Sequence, residues 1–151
     1  MKRSSVTHLN SGVARALEVV GEWWTPLIIR AVFLGHTRYD EIQSDLGIAR
    51  NVLSDRLNSL VGAGVLQKVQ YSERPQRFEY QLTDMGRDLF GVLAMLKAWG
   101  DKWLAGDQST HQIGHNVCGR IVTPLVWCDH CSMPISPDDT HAIKPDNSPS
   151  I

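Results

Sequence analysis

A cysteine-containing segment near the end of the chain has the residue types and spacing of a metal site. His115 and Cys118 are followed, after nine residues, by Cys128 and Cys131. A Cys-x2-Cys pair presents two sulfur ligands from one tight turn, and a His-x2-Cys pair can supply the other two corners of a tetrahedral zinc site. Because protein ligands would then fill all four positions, this zinc would serve folding and not catalysis.

Other interpretations of these cysteines stay open. The thiols could simply pack, or oxidation could join Cys128 to Cys131 in a disulfide. The connection between the pairs is shorter than in common zinc fingers, so a metal site would require a small ribbon shaped by Gly119 and Pro124. A further alternative is a regulatory protein tuned by the zinc or redox state of this tail.

A second set of residues suits contact with nucleic acid. It occupies the polar side of a predicted helix over residues 50–63, whose other side is apolar. Short side chains that donate and accept hydrogen bonds can contact base edges in the major groove of DNA. The set consists of Asn51, Ser54, Asp55 and Asn58, with Arg56 beside it and Arg50 in the first turn.

Three further arginines lie close to this helix in the sequence. Arg38 comes before the preceding predicted helix, and Arg74 and Arg77 lie in a polar segment downstream. Arginines that bind phosphate orient a protein on DNA and make its binding depend on salt. The alternative is that the polar side of the helix is only solvated, with Asp55 or Arg56 in an internal salt bridge.

The sequence contains no motif that predicts catalysis. The histidines outside the metal motif lack the spacing of a catalytic metal site, and no phosphate loop, nucleophile elbow or dinucleotide fingerprint is present. We therefore predict neither an enzyme nor a required cofactor. These histidines are His8, His36, His111, His130 and His141.

Length and composition favour one globular domain with a short appendage. The chain has 151 residues, of which 42% are hydrophobic, enough for a single core. A polar start and the lack of any run of about 20 apolar residues predict a soluble, cytoplasmic protein, and the predicted DNA binding would associate it with the nucleoid. Residues 1–104 carry 13 Lys and Arg against 11 Asp and Glu, whereas residues 105–151 carry 2 against 5. A DNA-binding surface is therefore expected in the first part.

Helical periodicity predicts the helices that position the polar residues of the helix over residues 50–63. A first helix covers residues 13–20, and a second, from Trp23 to Leu34, is apolar on nearly all sides and should form the centre of the core. A third, over residues 39–46, ends at Gly47, which suits the left-handed conformation that closes a helix. The helix over residues 50–63 starts so soon afterwards that the two predict a helix-turn-helix.

Two predicted strands follow the helix-turn-helix. Residues 65–71 have the composition of a strand, and residues 77–82 alternate polar and apolar side chains. Residues 72–76 between them form a polar loop that contains Pro75. The sequence therefore predicts a β-hairpin with a basic tip, a wing whose residues 71–77 would lie against the DNA backbone.

A long helix is predicted over residues 83–104, with Thr83 as its N-cap. Its apolar residues recur every three or four positions, as in a seam between paired helices. The helix could lie on its own domain, but we favour packing against a second copy, because so small a domain has little surface to cover it. The seam consists of Leu89, Val92, Leu96, Trp99 and Trp103.

The two ends of the chain are predicted to contribute little to the fold. Residues 1–10 are expected to be flexible and residues 11–106 to form the winged domain. Residues 107–136 would hold a linker and the small cysteine-containing appendage. Residues 137–151, which are rich in proline, are expected to be disordered.

Three stretches of the chain resemble the HxlR-type family of winged helix-turn-helix regulators. The resemblance as a whole covers about residues 11–104. The resemblance implies a mainly α fold with a small β-hairpin, similar to MarR regulators, and a homodimeric bacterial or archaeal transcription factor that binds operator DNA. The stretches are residues 13–30, which include Gly21-Glu22-Trp23-Trp24-Thr25-Pro26, then Ile48-Ala49-Arg50-Asn51-Val52-Leu53-Ser54-Asp55-Arg56-Leu57, then Arg74-Pro75-Gln76-Arg77-Phe78-Glu79-Tyr80-Gln81-Leu82-Thr83.

One position departs from that family. Many members carry a cysteine just before the first helix, which in some senses oxidants or electrophiles, whereas the matching residue here is Ser11. A thiol switch is therefore not available at this position. An unknown small-molecule effector bound near Trp23, Trp24 and Trp99 is an alternative, although aromatic residues in such places more often belong to a core.

The sequence as a whole predicts a homodimeric, sequence-specific repressor or activator that binds double-stranded DNA. The helix over residues 50–63 would enter the major groove, and the wing would contact the backbone. A rival interpretation is a winged-helix module that uses the same helix to dock another protein. The near-neutral charge of the domain favours this rival.

Overall fold

The computed structural model describes residues 5, 6, 8–104 and 111–143. The chain divides into two units, residues 1–93 and residues 94–151. The predicted α+β winged helix-turn-helix is confirmed in the described part of the chain, and its long C-terminal helix begins in the first unit and ends in the second. The elements are α1 (Gly12–Val20), α2 (Trp24–Phe33), α3 (Tyr39–Leu46), α4 (Arg50–Gly62), β1 (Leu66–Glu73), β2 (Gln76–Leu82) and α5 (Asp84–Trp103).

Helix α2 forms the centre of the core, as its apolar composition predicts. It packs against α1, α3, α4 and β2 in the first unit. Burial of a large aliphatic side chain stabilises a fold by about 1.5–3 kcal/mol, so this helix and the buried stripe of α4 carry much of the stability. The core residues are Ile28, Ile29, Ala31, Val32, Ile42, Ile48, Leu53, Leu57, Leu60, Val65, Leu66, Tyr80 and Leu82.

The turn between α3 and α4 has the predicted left-handed closure. Gly47 has a φ of +61°, and its N–H donates to the carbonyl oxygen of Gln43 at 2.9 Å. Tyr39 adds a second tie, because its hydroxyl donates to the carbonyl oxygen of Arg50 at 2.7 Å and lies 3.1 Å from Oγ of Ser54. The start of α3 is thereby fixed to the first turn of α4.

The wing has longer strands and a shorter tip than predicted. Ser72 pairs with Arg77 and Glu73 with Gln76, so only two residues turn the chain where a five-residue loop is predicted from composition. The prediction fails because backbone pairing at an exposed hairpin end does not require apolar side chains. Between Gln70 and Ser72 the register shifts by one extra residue in β1, and the pairing then continues to the tip.

The wing is joined to the helices at both ends. Before α3, Arg38 forms an isolated bridge with Glu79 of β2, and the N–H of Tyr80 donates to the carbonyl oxygen of Thr37 at 2.7 Å. After β2, Thr83 caps α5 as predicted, because its Oγ1 accepts the N–H of Gly86 at 3.1 Å.

The second unit has little regular structure beyond the end of α5. Residues 111–143 contain two isolated bridges, Gly114 with Ile121 and Trp127 with Pro134, and one 3-10 turn over Pro137–Asp139. That turn lies in the segment predicted to be disordered. Residues 144–151 of the segment, residues 107–110 of the linker predicted over 107–114, and residues 1–4 lie outside the described residues. None of the helices described here is both long enough and apolar enough to cross a membrane.

Candidate nucleic-acid interface

The exposed side of α4 carries three of the predicted base-contacting residues. Asn51, Asp55 and Asn58 are all exposed, whereas Leu53 and Leu57 on the other side are fully buried. Residues advance by about 100° along an α-helix, which places the three polar side chains within about 60° of one another. They form one narrow polar face, on a helix that is fixed to the core by Leu53 and Leu57.

Ser54 and Arg50 lie at the edge of this face. Ser54 is half-buried, and its hydroxyl is engaged with Tyr39, so it positions α4 in addition to any contact with DNA. Arg50 is 73% exposed and lies 3.5 Å from Asp40. Exposed ion pairs contribute at most about 1 kcal/mol, so a phosphate can replace this carboxylate.

Arg56 faces away from the other predicted contacts. Its guanidinium lies 4.0 Å from the carboxylate of Glu22, and its side chain is 30% exposed. Around the helix it is separated from Asn51 by about 140° and from Asn58 by about 160°. The internal salt bridge considered for Arg56 from the sequence therefore describes its position better than a place on the polar face.

Arg38 lies where the helix-turn-helix meets the wing. Its guanidinium carbon is 4.6 Å from the centre of the Tyr71 ring in β1, and its Nε is 4.0 Å from Glu41. The side chain is still 53% exposed. Stacking on an aromatic ring leaves the edge of a guanidinium free to donate to phosphate.

The wing tip presents two arginines. Arg74 is at the turn and Arg77 is near the start of β2, and both are exposed. Within the part of the chain that the structure describes, neither guanidinium forms a hydrogen bond or an ion pair. Both are therefore available to a phosphate without breaking an existing contact.

Glu41 has a positioning role that the sequence reasoning missed. Its carboxylate accepts the N–H groups of Arg38 at 3.0 Å and Thr37 at 3.1 Å. The bond from Arg38 is the main cause that holds the pKa of Glu41 below its ordinary value, followed in that direction by the bond from Thr37. The available signal was an acid at the third position of a helix, where it can bond back to the preceding backbone.

The substitution Glu41→Gln should reduce the pH dependence of stability in acid. Because the folded pKa is lowered, the stabilisation by this carboxylate is complete above its ordinary pKa of 4.5 and is lost as the pH falls through the folded value. Urea unfolding measured at several pH values below neutrality should give a shallower slope for the variant. Glu73→Gln, at an exposed wing position, is the matched control, and an equal slope in all three proteins would refute this role.

The predicted metal ligands lie in two separate pairs. Nδ1 of His115 is 3.4 Å from Sγ of Cys118. The backbone N–H groups of Cys131 and then His130, with the side chain of Cys131, lower the pKa of the Cys128 thiol. All three cysteines are free thiols, and no three His, Cys, Asp or Glu side chains within the described ranges converge on a common point.

The predicted seam of α5 divides into two kinds of position. Val92, Leu96, Trp99 and Trp103 are each more than half exposed. Leu89 instead packs against the core of its own unit. The exposed four follow a spacing of four, three and four residues and therefore form one apolar stripe.

Trp23 and Trp24, at the start of α2, line an open cleft. Glu22, Trp23, Trp24 and Leu27 surround a volume of about 370 Å³. Trp23 is 89% exposed. Trp99, which was predicted to share an effector site with them, belongs to the second unit.

Ser11 caps α1 by accepting the N–H of Ala14 at 3.5 Å.

Comparison with known proteins gives consistent matches. A family model described as HxlR-like helix-turn-helix matches residues 19–108. An uncharacterized HTH-type transcriptional regulator of Mycobacterium tuberculosis is 42% identical over 139 residues, covering 90% of this chain and 88% of the relative. YtcD of Bacillus subtilis, of the same description, is 35% identical over 92 residues, covering 60% of this chain and 73% of YtcD.

Solved structures are similar over the same region and beyond it. The crystal structure of PA1607, a proposed transcription factor, superposes with a TM-score of 0.82 at 35% identity, covering 93% of this chain and 99% of PA1607. The redox regulator HypR in its oxidized form gives a TM-score of 0.57 at 27% identity, covering 61% of this chain and 96% of HypR.

Proposed function

The chain belongs to the HxlR-like helix-turn-helix family and is a DNA-binding transcriptional regulator; we propose that it acts as a homodimer that reads the major groove with α4. The observation that carries this proposal is the exposed face of Asn51, Asp55 and Asn58, together with the exposed arginines of the wing. Membership of a family of regulators indicates binding and not catalysis. A cytoplasmic, nucleoid-associated location follows from this function.

The polar face of α4 suits direct contact with bases. Asn51 and Asn58 can each donate and accept toward adenine, and Asp55 can accept from the amino group of cytosine. These short side chains need a close approach of the helix to the groove floor. Tyr39 and the buried leucines of α4 hold the helix rigidly enough for such an approach.

The arginines around this face suit the DNA backbone. Arg50 is at the first turn of α4, Arg38 is at the start of α3, and Arg74 and Arg77 are at the wing. Bound to phosphates, they would orient the protein without selecting a sequence. Each phosphate contact releases a counterion, so binding should weaken as salt increases.

The exposed stripe of α5 suits a second copy of the chain. Large apolar side chains in regular spacing on one helix are unfavourable in water unless another surface covers them. A two-fold pair would present two α4 helices to half-sites about 34 Å apart, which predicts a roughly palindromic operator.

A small-molecule effector is proposed for the open cleft. It is lined mainly by the apolar side chains of Trp23, Trp24 and Leu27, with Glu22 as the charged group. Such a lining suits a flat apolar ligand with a donor or cationic group. The presence of Ser11 favours this over a thiol switch at the first helix.

Alanine at both Arg74 and Arg77 should weaken DNA binding about equally for all sequences. The logarithm of the association constant falls linearly with the logarithm of the salt concentration. Loss of two phosphate contacts is expected to make this negative slope shallower by about 2. Fluorescence anisotropy with an operator selected from genomic fragments, and with an unrelated duplex, measures both quantities. Arg87→Ala, at an exposed position of α5, is the control.

This experiment also separates the two functional classes. A protein-docking module need not respond to loss of the wing arginines and would show no sequence-selective, salt-sensitive complex with any genomic fragment. Either result would contradict the proposed use of the wing.

A further inference from the structure

The two predicted ligand pairs lie in turns with the same backbone hydrogen bonds. The N–H of Gly119 donates to the carbonyl oxygen of His115 at 2.7 Å, and the N–H of Ser132 donates to that of Cys128 at 2.9 Å. The closing residue of each turn is left-handed, with φ of +67° at Gly119 and +55° at Ser132. Serine is unfavourable in this conformation, yet the second turn adopts it.

The chain on both sides of each turn repeats as well. The first residue of each pair donates its N–H across a short hairpin, from His115 to Arg120 at 2.9 Å and from Cys128 to Met133 at 2.8 Å. A second rung follows, from Val122 to Ile113 at 2.8 Å and from Ile135 to Val126 at 3.0 Å. Residues 113–122 and 126–135 are therefore two copies of one small hairpin, offset by the 13 residues from His115 to Cys128.

The spacing within the first pair matches that of two ligands on one zinc ion. Nδ1 of His115 and Sγ of Cys118 are 3.4 Å apart. A nitrogen about 2.0 Å and a sulfur about 2.3 Å from zinc, at a tetrahedral angle, are about 3.5 Å apart. The first turn therefore already presents half of a tetrahedral ligand set.

These hairpins lack a hydrophobic core to hold them. No residue from 111 to 143 is buried. Large apolar side chains such as Val117, Leu125 and Trp127 are 55–88% exposed. Segments of about 40 residues or fewer generally need a metal, a disulfide or a partner to fold, and the cysteines here are thiols.

We propose that the two hairpins are the halves of one zinc site, with His115, Cys118, Cys128 and Cys131 as its four ligands. The chain leaves the first turn along residues 119–122 and enters the second along residues 126–128. Only Thr123, Pro124 and Leu125 link the two hairpins, and in the proposed site this short link brings both turns to one zinc ion. Since the pairs do not converge in the described structure, metal binding supplies the free energy that closes them together.

Metal analysis of the full-length protein tests this site. Protein purified with a thiol reductant and without chelator should contain about one zinc per chain by plasma mass spectrometry. Replacement by Co²⁺ should give the visible absorption of tetrahedral cobalt together with sulfur-to-cobalt charge transfer. Cys118→Ser and Cys131→Ser, one from each turn, should each lose the zinc and the charge-transfer spectrum of the parent.

Matched variants keep the test independent of folding. His141→Ala changes a histidine outside both hairpins and should retain the zinc. Circular dichroism melting should report an intact winged domain in every variant. The proposal is overturned if the parent binds no zinc, if either cysteine variant keeps it, or if one zinc is shared by two chains.

Discussion

Gly86→Ala is expected to lower the free energy of unfolding by about 3 kcal/mol or more, because backbone atoms cannot move aside for the new methyl group. A Cβ at this position would lie 2.2 Å from the carbonyl oxygen of Val65 and 3.0 Å from Cδ2 of Leu82. Both neighbours are buried at the base of the wing. Urea unfolding monitored by circular dichroism measures the loss.

Gly91→Ala provides the matched control on the same helix. A Cβ there meets nothing within 4 Å, so alanine should stabilise α5 by about 0.5–1 kcal/mol through its better helix propensity. The two substitutions make the same chemical change with opposite expected signs. Equal effects would show that helix propensity, and not the approach of α5 to the wing, controls stability here.

The close approach at Gly86 also links stability to the interface. Thr83 caps α5 and donates to the carbonyl oxygen of Val65 at 3.1 Å, so the start of α5 and the start of the wing share one set of contacts. A substitution that separates these two segments, such as Gly86→Ala, should therefore disturb the wing more than the buried leucines of α4. The glycine was not singled out from the sequence, because only the folded distance to Val65 reveals the need for it.

Most of the fold follows from patterns that are local in the sequence. The mainly apolar helix α2, the stripe of Leu53, Leu57 and Leu60, and the closure at Gly47 each depend on residues within a few turns of one another. The wing shows the limit of such patterns. Composition separates apolar from polar residues, but it does not determine how far backbone pairing extends into a polar hairpin end.

The interface could be predicted only in part for a similar reason. Exposure of Asn51, Asp55 and Asn58 follows from helix geometry alone, whereas the direction of Arg56 depends on Glu22, which is distant in sequence. The tie from Tyr39 to α4 likewise depends on how two helices cross. Periodicity predicts the helix over residues 39–46 but does not reveal the role of the Tyr39 hydroxyl group.

Leu96→Glu is expected to separate the proposed dimer. Leu96 is 54% exposed at the middle of the α5 stripe, so glutamate there should not disturb the fold of the single chain. In a two-fold interface each dimer would bury two unpaired carboxylates, at a cost of about 3 kcal/mol or more, which corresponds to at least about 100-fold weaker association. Sedimentation equilibrium over a range of protein concentrations measures this change.

Loss of the dimer should also weaken binding to the operator. A dimer binds its second half-site at a high effective concentration, an advantage of about 10²–10⁴ that a monomer does not have. Leu96→Glu should therefore bind a palindromic site little better than a single half-site. Ile143→Glu makes the same charge change at a residue that is 80% exposed outside α5, and it should leave mass and affinity unchanged. A monomeric parent protein, or a Leu96→Glu variant that remains dimeric, would rule out the α5 stripe as the interface, because burial of that stripe is what the proposed pairing requires.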